Sequence, residues 1–153
     1  MLYKTFAMTP KPEYDLLFLL RILEAAEKIK LYAEPFSDPL IFFEANDQKE
    51  FNACLNLLAQ TGELANKISS QSKELDPSFE WEKLYGLRNR VVHDYTGIDK
   101  FSTFEIIKIS VPKTIHSLSN IIRKGLLQNQ FSQADLDLAK TSPYLKHVNF
   151  AEI

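Results

Sequence analysis

Apolar residues recur at intervals of three and four along most of the 153-residue chain, and no stretch alternates with a period of two. This spacing places apolar side chains on one face of an α-helix. Glycine, which weakens helices, occurs only four times. The sequence therefore predicts an all-α protein, and its length fits a single domain over residues 1–153.

Four long helices with short connections are predicted, which is the pattern of an up-and-down four-helix bundle. Two of these helices begin at a pair of residues with the spacing of a capping box, namely Asp47 with Glu50 and Ser102 with Glu105. The long helices are expected from about Pro12 to Tyr32, Asp47 to Ser70, Phe79 to His93 and Ser102 to Lys124, with short helices over Leu40–Glu44 and Ser132–Lys140.

Two residues should disturb the predicted helices. Gly62 lies inside the second one, where glycine is about 1 kcal/mol less favourable than alanine. Close packing against a neighbouring helix is the expected compensation. Pro112 lies inside the fourth helix, and its ring and missing N–H predict a kink there.

Charge and cysteine content limit the classes of function. Cys54 is the only cysteine, so no disulfide within the chain and no Cys-based zinc site are expected. It lies among apolar residues of the second predicted helix and is expected to be a small core residue. The net charge of −2 means that any contact with nucleic acid must come from a local site or a dimer groove. No apolar run could span a membrane and the N-terminus lacks a signal pattern, so a cytoplasmic protein without a membrane partner is expected.

The segment Arg88–Tyr95 holds the clearest chemical pattern, an arginine, four residues, a histidine, one residue and a tyrosine. Metal-free cleavage of RNA needs a base for the ribose 2′-hydroxyl, a cation for the phosphorane and an acid for the leaving 5′-oxygen. His93 can take or give a proton near neutral pH. The planar fork of Arg88 can hold a phosphate.

Helix geometry constrains how these groups meet. Asn89 and His93 share a face of a straight helix, whereas Arg88 and His93 lie about 140° apart around it. The helix must therefore loosen near His93, or Arg88 must curl around it, or two subunits must combine. A dimer would also supply a second His93, and with it both an acid and a base.

The same residues also have a purely structural interpretation. Arginine and histidine are favoured near a helix C-terminus by the macrodipole alone. Asn89 can bond the backbone, and Tyr95 can simply pack. Trp81 and Tyr85 can stack on a base or fill the core, whereas His116 and His147 are expected to be solvated surface histidines rather than metal ligands.

Several segments are similar to one known family. The Arg88–Tyr95 pattern resembles the R-x4-H-x-Y motif of the HepT-like branch of the HEPN superfamily. The resemblance covers about residues 13–124, the expected core, and leaves residues 125–153 as a C-terminal extension. The other similar segments are Ile22–Ile29, Thr61–Ser69 and Trp81–Arg90.

The resemblance implies a HEPN-like helical bundle that forms a homodimer with the motif between subunits. It implies a metal-independent endoribonuclease without a cofactor, the toxin of a type VII toxin–antitoxin system. The implied partners are an RNA substrate and a minimal nucleotidyltransferase antitoxin that transfers AMP to the motif tyrosine, here Tyr95. By position, Arg88 and His93 are catalytic and Asn89 is supporting, while Arg90 is expected to line the same cleft as a further supporting residue.

Two other functions remain open. One is a non-catalytic HEPN partner of a nucleotidyltransferase that binds its substrate or a nucleotide. The other is a plain dimeric helical adaptor. The intact pair of Arg88 and His93 favours the ribonuclease, because an adaptor has no need for both.

Overall fold

The structure is a computed structural model that describes residues 10–93 and 99–153. Within these two ranges all regular structure is helical and no β-strand occurs, which confirms the predicted all-α class. The α-helices are α1 (Asp15–Ala33), α2 (Pro39–Glu44), α3 (Lys49–Ala65), α4 (Ser70–Lys73), α5 (Trp81–His93), α6 (Lys100–Glu105), α7 (Val111–Leu127) and α8 (Gln133–Ala139), with a π-helical turn over Ile106–Ser110 and 3-10 turns over Pro12–Tyr14, Ala45–Gln48, Pro143–Leu145 and Phe150–Glu152.

Helix α1 is the centre of the packing, because both α3 and α7 contact it, while α5 packs against α3. Each long helix turns its apolar stripe towards this centre, as the spacing of three and four predicts. Burying one leucine or isoleucine stabilises a fold by about 1.5–3 kcal/mol. Fully buried members of the core include Leu19, Ile22, Ile29, Leu118, Ile121 and Ile122.

The predicted start of the second long helix is wrong in its detail. Asp47 lies in a 3-10 turn with a φ of 57°, so it cannot cap α3, which begins at Lys49. Glu50 instead accepts a hydrogen bond from Asn46 Nδ2 at 2.8 Å. The helix also ends at Ala65 rather than Ser70, because Ser69 caps the separate helix α4 by accepting from the Ser72 N–H.

The start of the fourth predicted helix is also corrected. Asp99 is the N-cap of α6 and accepts from the Phe101 N–H at 2.9 Å and from Ser102 Oγ at 2.6 Å. The bond from Ser102 is the main reason that the pKa of Asp99 is lowered. Ser102 therefore lies inside the first turn, and the predicted capping box with Glu105 does not form.

Pro112 disturbs its helix through the turn that precedes it. The backbone forms a π-helical turn immediately before α7. Pro112 lies in the first turn of α7 itself. A proline is well tolerated there, since the first-turn N–H groups have no helical partner. The helix then continues through Gly125 to Leu127, three residues beyond the predicted end.

The segment after α7 is packed onto the rest of the molecule. Phe131, Leu136, Leu145 and Val148 are buried in the same apolar cluster as the long helices. His147, expected to be solvated, instead binds Glu24 of α1 through its backbone N–H at 2.7 Å and its Nδ1 at 2.6 Å. This segment therefore covers the outer face of α1.

Candidate functional site

Helix α5 carries most of the predicted motif. It begins at Trp81, two residues later than predicted, and is described as far as His93, where this described range stops. The side chain of His93, and Tyr95 as a whole, lie outside the described residues. The structure therefore places Arg88, Asn89 and Arg90 in full, and their relation to the other two motif side chains remains a prediction.

The three described motif residues are all exposed to solvent. Consecutive residues are about 100° apart around a helix, so Arg88 and Arg90 point in widely different directions. Neither guanidinium forms an ion pair with a carboxylate of residues 10–93 or 99–153. Within the described part of the chain, the two guanidinium groups therefore face solvent without a carboxylate partner, on two different sides of α5.

On one side, α5 approaches α3 very closely at Gly62. A Cβ placed on Gly62 would stand 2.6 Å from the carbonyl oxygen of Leu84, 2.9 Å from Arg88 Cβ and 3.0 Å from the Arg88 backbone nitrogen. No side chain fits between the two helices there. The predicted close packing at Gly62 is thus confirmed, and the helix that packs against it is the one that carries Arg88.

On another side, a groove of about 750 Å³ separates α5 from α7. We call it the α5–α7 groove. Its lining includes the cationic side chains of Lys83, Arg90 and Lys113, and apolar residues such as Leu87 and Val111. The carboxylates of Asp76 and Glu80 also line it, and Glu80 forms an ion pair with Lys83. This volume is within the range of pockets that hold small ligands. Arg90 and Lys113 form no ion pair within the described ranges, and these two cations beside apolar surface suit the phosphate and base of an unpaired nucleotide.

The aromatic residues of α5 mainly serve packing. Trp81 is buried, with the ring of Phe79 at 4.7 Å, and Lys73 Nζ lies 4.9 Å from the ring of the half-buried Tyr85. A buried indole cannot stack on a base without a local rearrangement. The packing interpretation is therefore the better one for Trp81.

The remaining reactive groups offer no alternative centre among the described residues. No cluster of three or more His, Cys, Asp or Glu side chains in residues 10–93 and 99–153 could hold a metal ion. Cys54 is fully buried as predicted, and burial raises the pKa of its thiol to about 12, so it stays protonated at neutral pH. None of the helices in the described part of the chain is long and apolar enough to cross a membrane.

Lys113 is the site residue that sequence reasoning missed. It is 23 positions after Arg90 along the chain, and only the packing of α7 brings it to the same groove. No local pattern around Lys113 distinguishes it from the other exposed lysines. A signal could have come only from a prediction of which helices lie side by side.

Comparison with known proteins agrees with the resemblance. The model of the family described as Ribonuclease HepT-like matches residues 22–121. A protein of Methanocaldococcus jannaschii named "Putative RNase" is 32% identical over 97 residues, which are 63% of this chain and 85% of that protein. A protein of Thermococcus cleftensis named "Probable ribonuclease HepT" is 28% identical over 90 residues, 58% of this chain and 81% of its own length. No solved structure gives a significant match.

Proposed function

The chain belongs to the ribonuclease HepT-like family, and from that premise we propose that it is a metal-independent endoribonuclease in which Arg88 and His93 cleave RNA. The observation that carries the proposal is an exposed arginine on α5, without an ion-pair partner in the described ranges, five residues before the histidine of the motif on the same helix. A cation free to bind phosphate next to a proton-transfer group is what such cleavage needs.

The proposed reaction is an internal transfer to the ribose 2′-oxygen. His93 removes the 2′-hydroxyl proton, the 2′-oxygen bonds to phosphorus, and the bond from phosphorus to the 5′-oxygen breaks. A protonated imidazole gives its proton to that leaving oxygen. Arg88 binds the non-bridging oxygens, whose negative charge grows in the transition state. The products are a 2′,3′-cyclic phosphate and a 5′-hydroxyl.

The acid and the base are most simply supplied by two chains. We propose that two up-and-down four-helix bundles form a homodimer in which the motifs face each other, so that one His93 acts as base and the other as acid. This arrangement also relieves the 140° separation of Arg88 and His93 on a single helix. Asn89 is proposed to support the cleft, and Arg90 to support RNA binding from the α5–α7 groove on another side of the helix. The dimer is proposed to act in the cytoplasm.

Regulation is proposed to act on Tyr95. As the toxin of a type VII toxin–antitoxin pair, the protein would be silenced when a minimal nucleotidyltransferase transfers AMP to the Tyr95 hydroxyl. The added phosphodiester would carry a negative charge that can pair with Arg88 or Arg90. That charge and the purine would occupy the position required by the RNA phosphate.

The alternative is a non-catalytic protein that binds RNA or a nucleotide for a partner nucleotidyltransferase. The α5–α7 groove favours it as a second candidate, because its volume and the side chains of Arg90 and Lys113 would fit a nucleotide without any chemistry. The two candidates differ in whether bound RNA is cleaved.

A cleavage assay in EDTA distinguishes these candidates. We expect the wild-type protein to cleave RNA and to leave a 2′,3′-cyclic phosphate, and His93→Ala to lower the rate by roughly 10²–10⁴-fold, as for a general acid–base group. Arg88→Lys should lower it at least about ten-fold, since lysine lacks the planar fork.

Two exposed residues away from the motif provide matched controls, His116→Ala on α7 and Arg21→Lys on α1, and both should keep the wild-type rate. Activity that disappears with EDTA, or that survives in both motif variants, would contradict the mechanism. Binding of RNA without cleavage by the wild-type protein would favour the alternative.

A further inference from the structure

Gly62 lies on α3, outside the motif, yet two of the three atoms nearest to a Cβ placed on it belong to Arg88, the first residue of the motif, and the nearest is the carbonyl oxygen of Leu84 on the same helix. Resting on the role proposed for Arg88, we infer that Gly62 is a positioning residue: the absence of a side chain there sets how close α5 lies to α3, and hence where Arg88 stands. The contacts of a Cβ at Gly62 are the evidence for this role.

A Cβ on Gly62 would overlap with atoms that no side-chain rotation can move. Its neighbours are the carbonyl oxygen of Leu84 at 2.6 Å and the nitrogen and Cβ of Arg88 at 3.0 and 2.9 Å. All three atoms are fixed to the α5 backbone, so no change of side-chain rotamer relieves the overlap. Helix α5 would have to move away from α3 as a unit, by several tenths of an ångström.

Such a movement would be carried directly to the guanidinium. The Arg88 side chain is exposed and forms no ion pair within the described ranges, so its fixed part is the Cα and Cβ that rest on Gly62. Catalytic groups lose much of their effect when misplaced by about 1 Å, which can lower a rate roughly 10²-fold. Gly62 is therefore expected to affect the rate of cleavage indirectly, by fixing the position of Arg88.

Gly125 offers a chemically identical comparison. It also lies inside a helix, α7, and a Cβ there would be even closer to its neighbour, at 2.2 Å from Cδ2 of Phe131. That neighbour is a side chain in the segment after α7, not the backbone of α5. Gly125→Ala should thus disturb the fold without moving Arg88.

The test compares Gly62→Ala with Gly125→Ala at a temperature where both proteins are folded. For Gly62→Ala we expect kcat for RNA to fall about 10–100-fold, with a smaller change in KM, and the amide NMR signals of Leu84–Arg88 to shift. For Gly125→Ala we expect a lower unfolding midpoint, kcat within about two-fold of wild type, and unchanged α5 signals.

The NMR signals separate this inference from the proposed function. If the wild-type protein does not cleave RNA, the proposed function fails, while shifted α5 signals in Gly62→Ala alone still support the positioning role. A Gly62→Ala protein with unchanged α5 signals, or with wild-type kcat, would overturn it.

If Gly62→Ala does not fold in the wild-type protein, the same substitution is tested in a Gly86→Ala protein. Gly86, on α5 itself, has no heavy atom of the described residues within 4 Å of a built Cβ, so Gly86→Ala adds helix propensity without a clash among them. The double variant is then compared with Gly86→Ala alone. If Gly62→Ala folds in neither background, Gly62 is required by the fold itself and the positioning role is rejected.

Discussion

Glu27 on α1 is a residue whose ionisation opposes folding. Burial raises the pKa of its carboxyl group, and the nearby Lys30, with its ammonium at 4.0 Å, offsets only part of that effect. A carboxyl group with a raised pKa in the native state favours folding when protonated and loses that contribution as the pH rises through the native pKa. At neutral pH the charged Glu27 therefore lowers the stability.

Glu27→Gln should accordingly be more stable than wild type at pH 7. The difference should shrink as the pH falls towards and below 4.5, the ordinary value for a glutamate. Thermal unfolding at several pH values measures this, with Glu13→Gln, an exposed position, as the control. A difference that grows on acidification would contradict the assigned cause.

Single residues differ in how far the sequence alone could place them. Cys54 and Gly62 were predicted correctly, because burial and close packing follow from their positions on the apolar face of one helix. The capping boxes failed because three-residue spacing does not reveal which polar residue turns into the cap. His147 was misjudged, since its partner Glu24 is 123 positions away in the sequence.

Between elements, the α5–α7 groove links the motif helix to α7 through Arg90 and Lys113. Lys83 already forms an ion pair with Glu80, so Lys113 is the sharper probe of whether RNA occupies the groove. Lys113→Ala should weaken RNA binding and reduce the slope of log K against log salt by about 0.7, the value for one phosphate contact with a single strand.

The binding measurement uses a His93→Ala background, so that the RNA is not consumed. Fluorescence anisotropy at several salt concentrations gives the slope. Lys146→Ala serves as control, because this exposed lysine lies in the segment that covers α1 and does not line the groove. Equal slopes for the two variants would exclude the groove from the RNA path.

The helices themselves were predictable to within a few residues at most ends, because their apolar stripes are local properties of the sequence. The π-helical turn before Pro112 could not be predicted, since it depends on how the chain accommodates a proline between two packed helices. The groove was not predictable either, because it is defined by two helices that are separated in sequence.

For the whole molecule, the proposal requires two copies. Light scattering at micromolar concentration should give about twice the 17.6 kDa mass of one chain, and the interface should bury more than about 1,000 Å² in total. The measurement is repeated with His93→Ala, which should keep the dimer while losing activity. A monomer at these concentrations would remove the second His93 from the mechanism.

The contacts of α1 have a consequence for how the protein is made. Asp15 at its start accepts hydrogen bonds from Ser69 and Ser72, and Glu24 on its outer face binds His147. Helix α1 therefore leaves the ribosome before the residues that bind it are translated. Ser69 follows Asp15 by about 50 residues, and His147 follows Glu24 by more than 120. Contacts so distant in sequence slow folding. The contacts of α1 are therefore complete only after His147 has been synthesised, and the proposed nuclease would lack this part of its native structure until then.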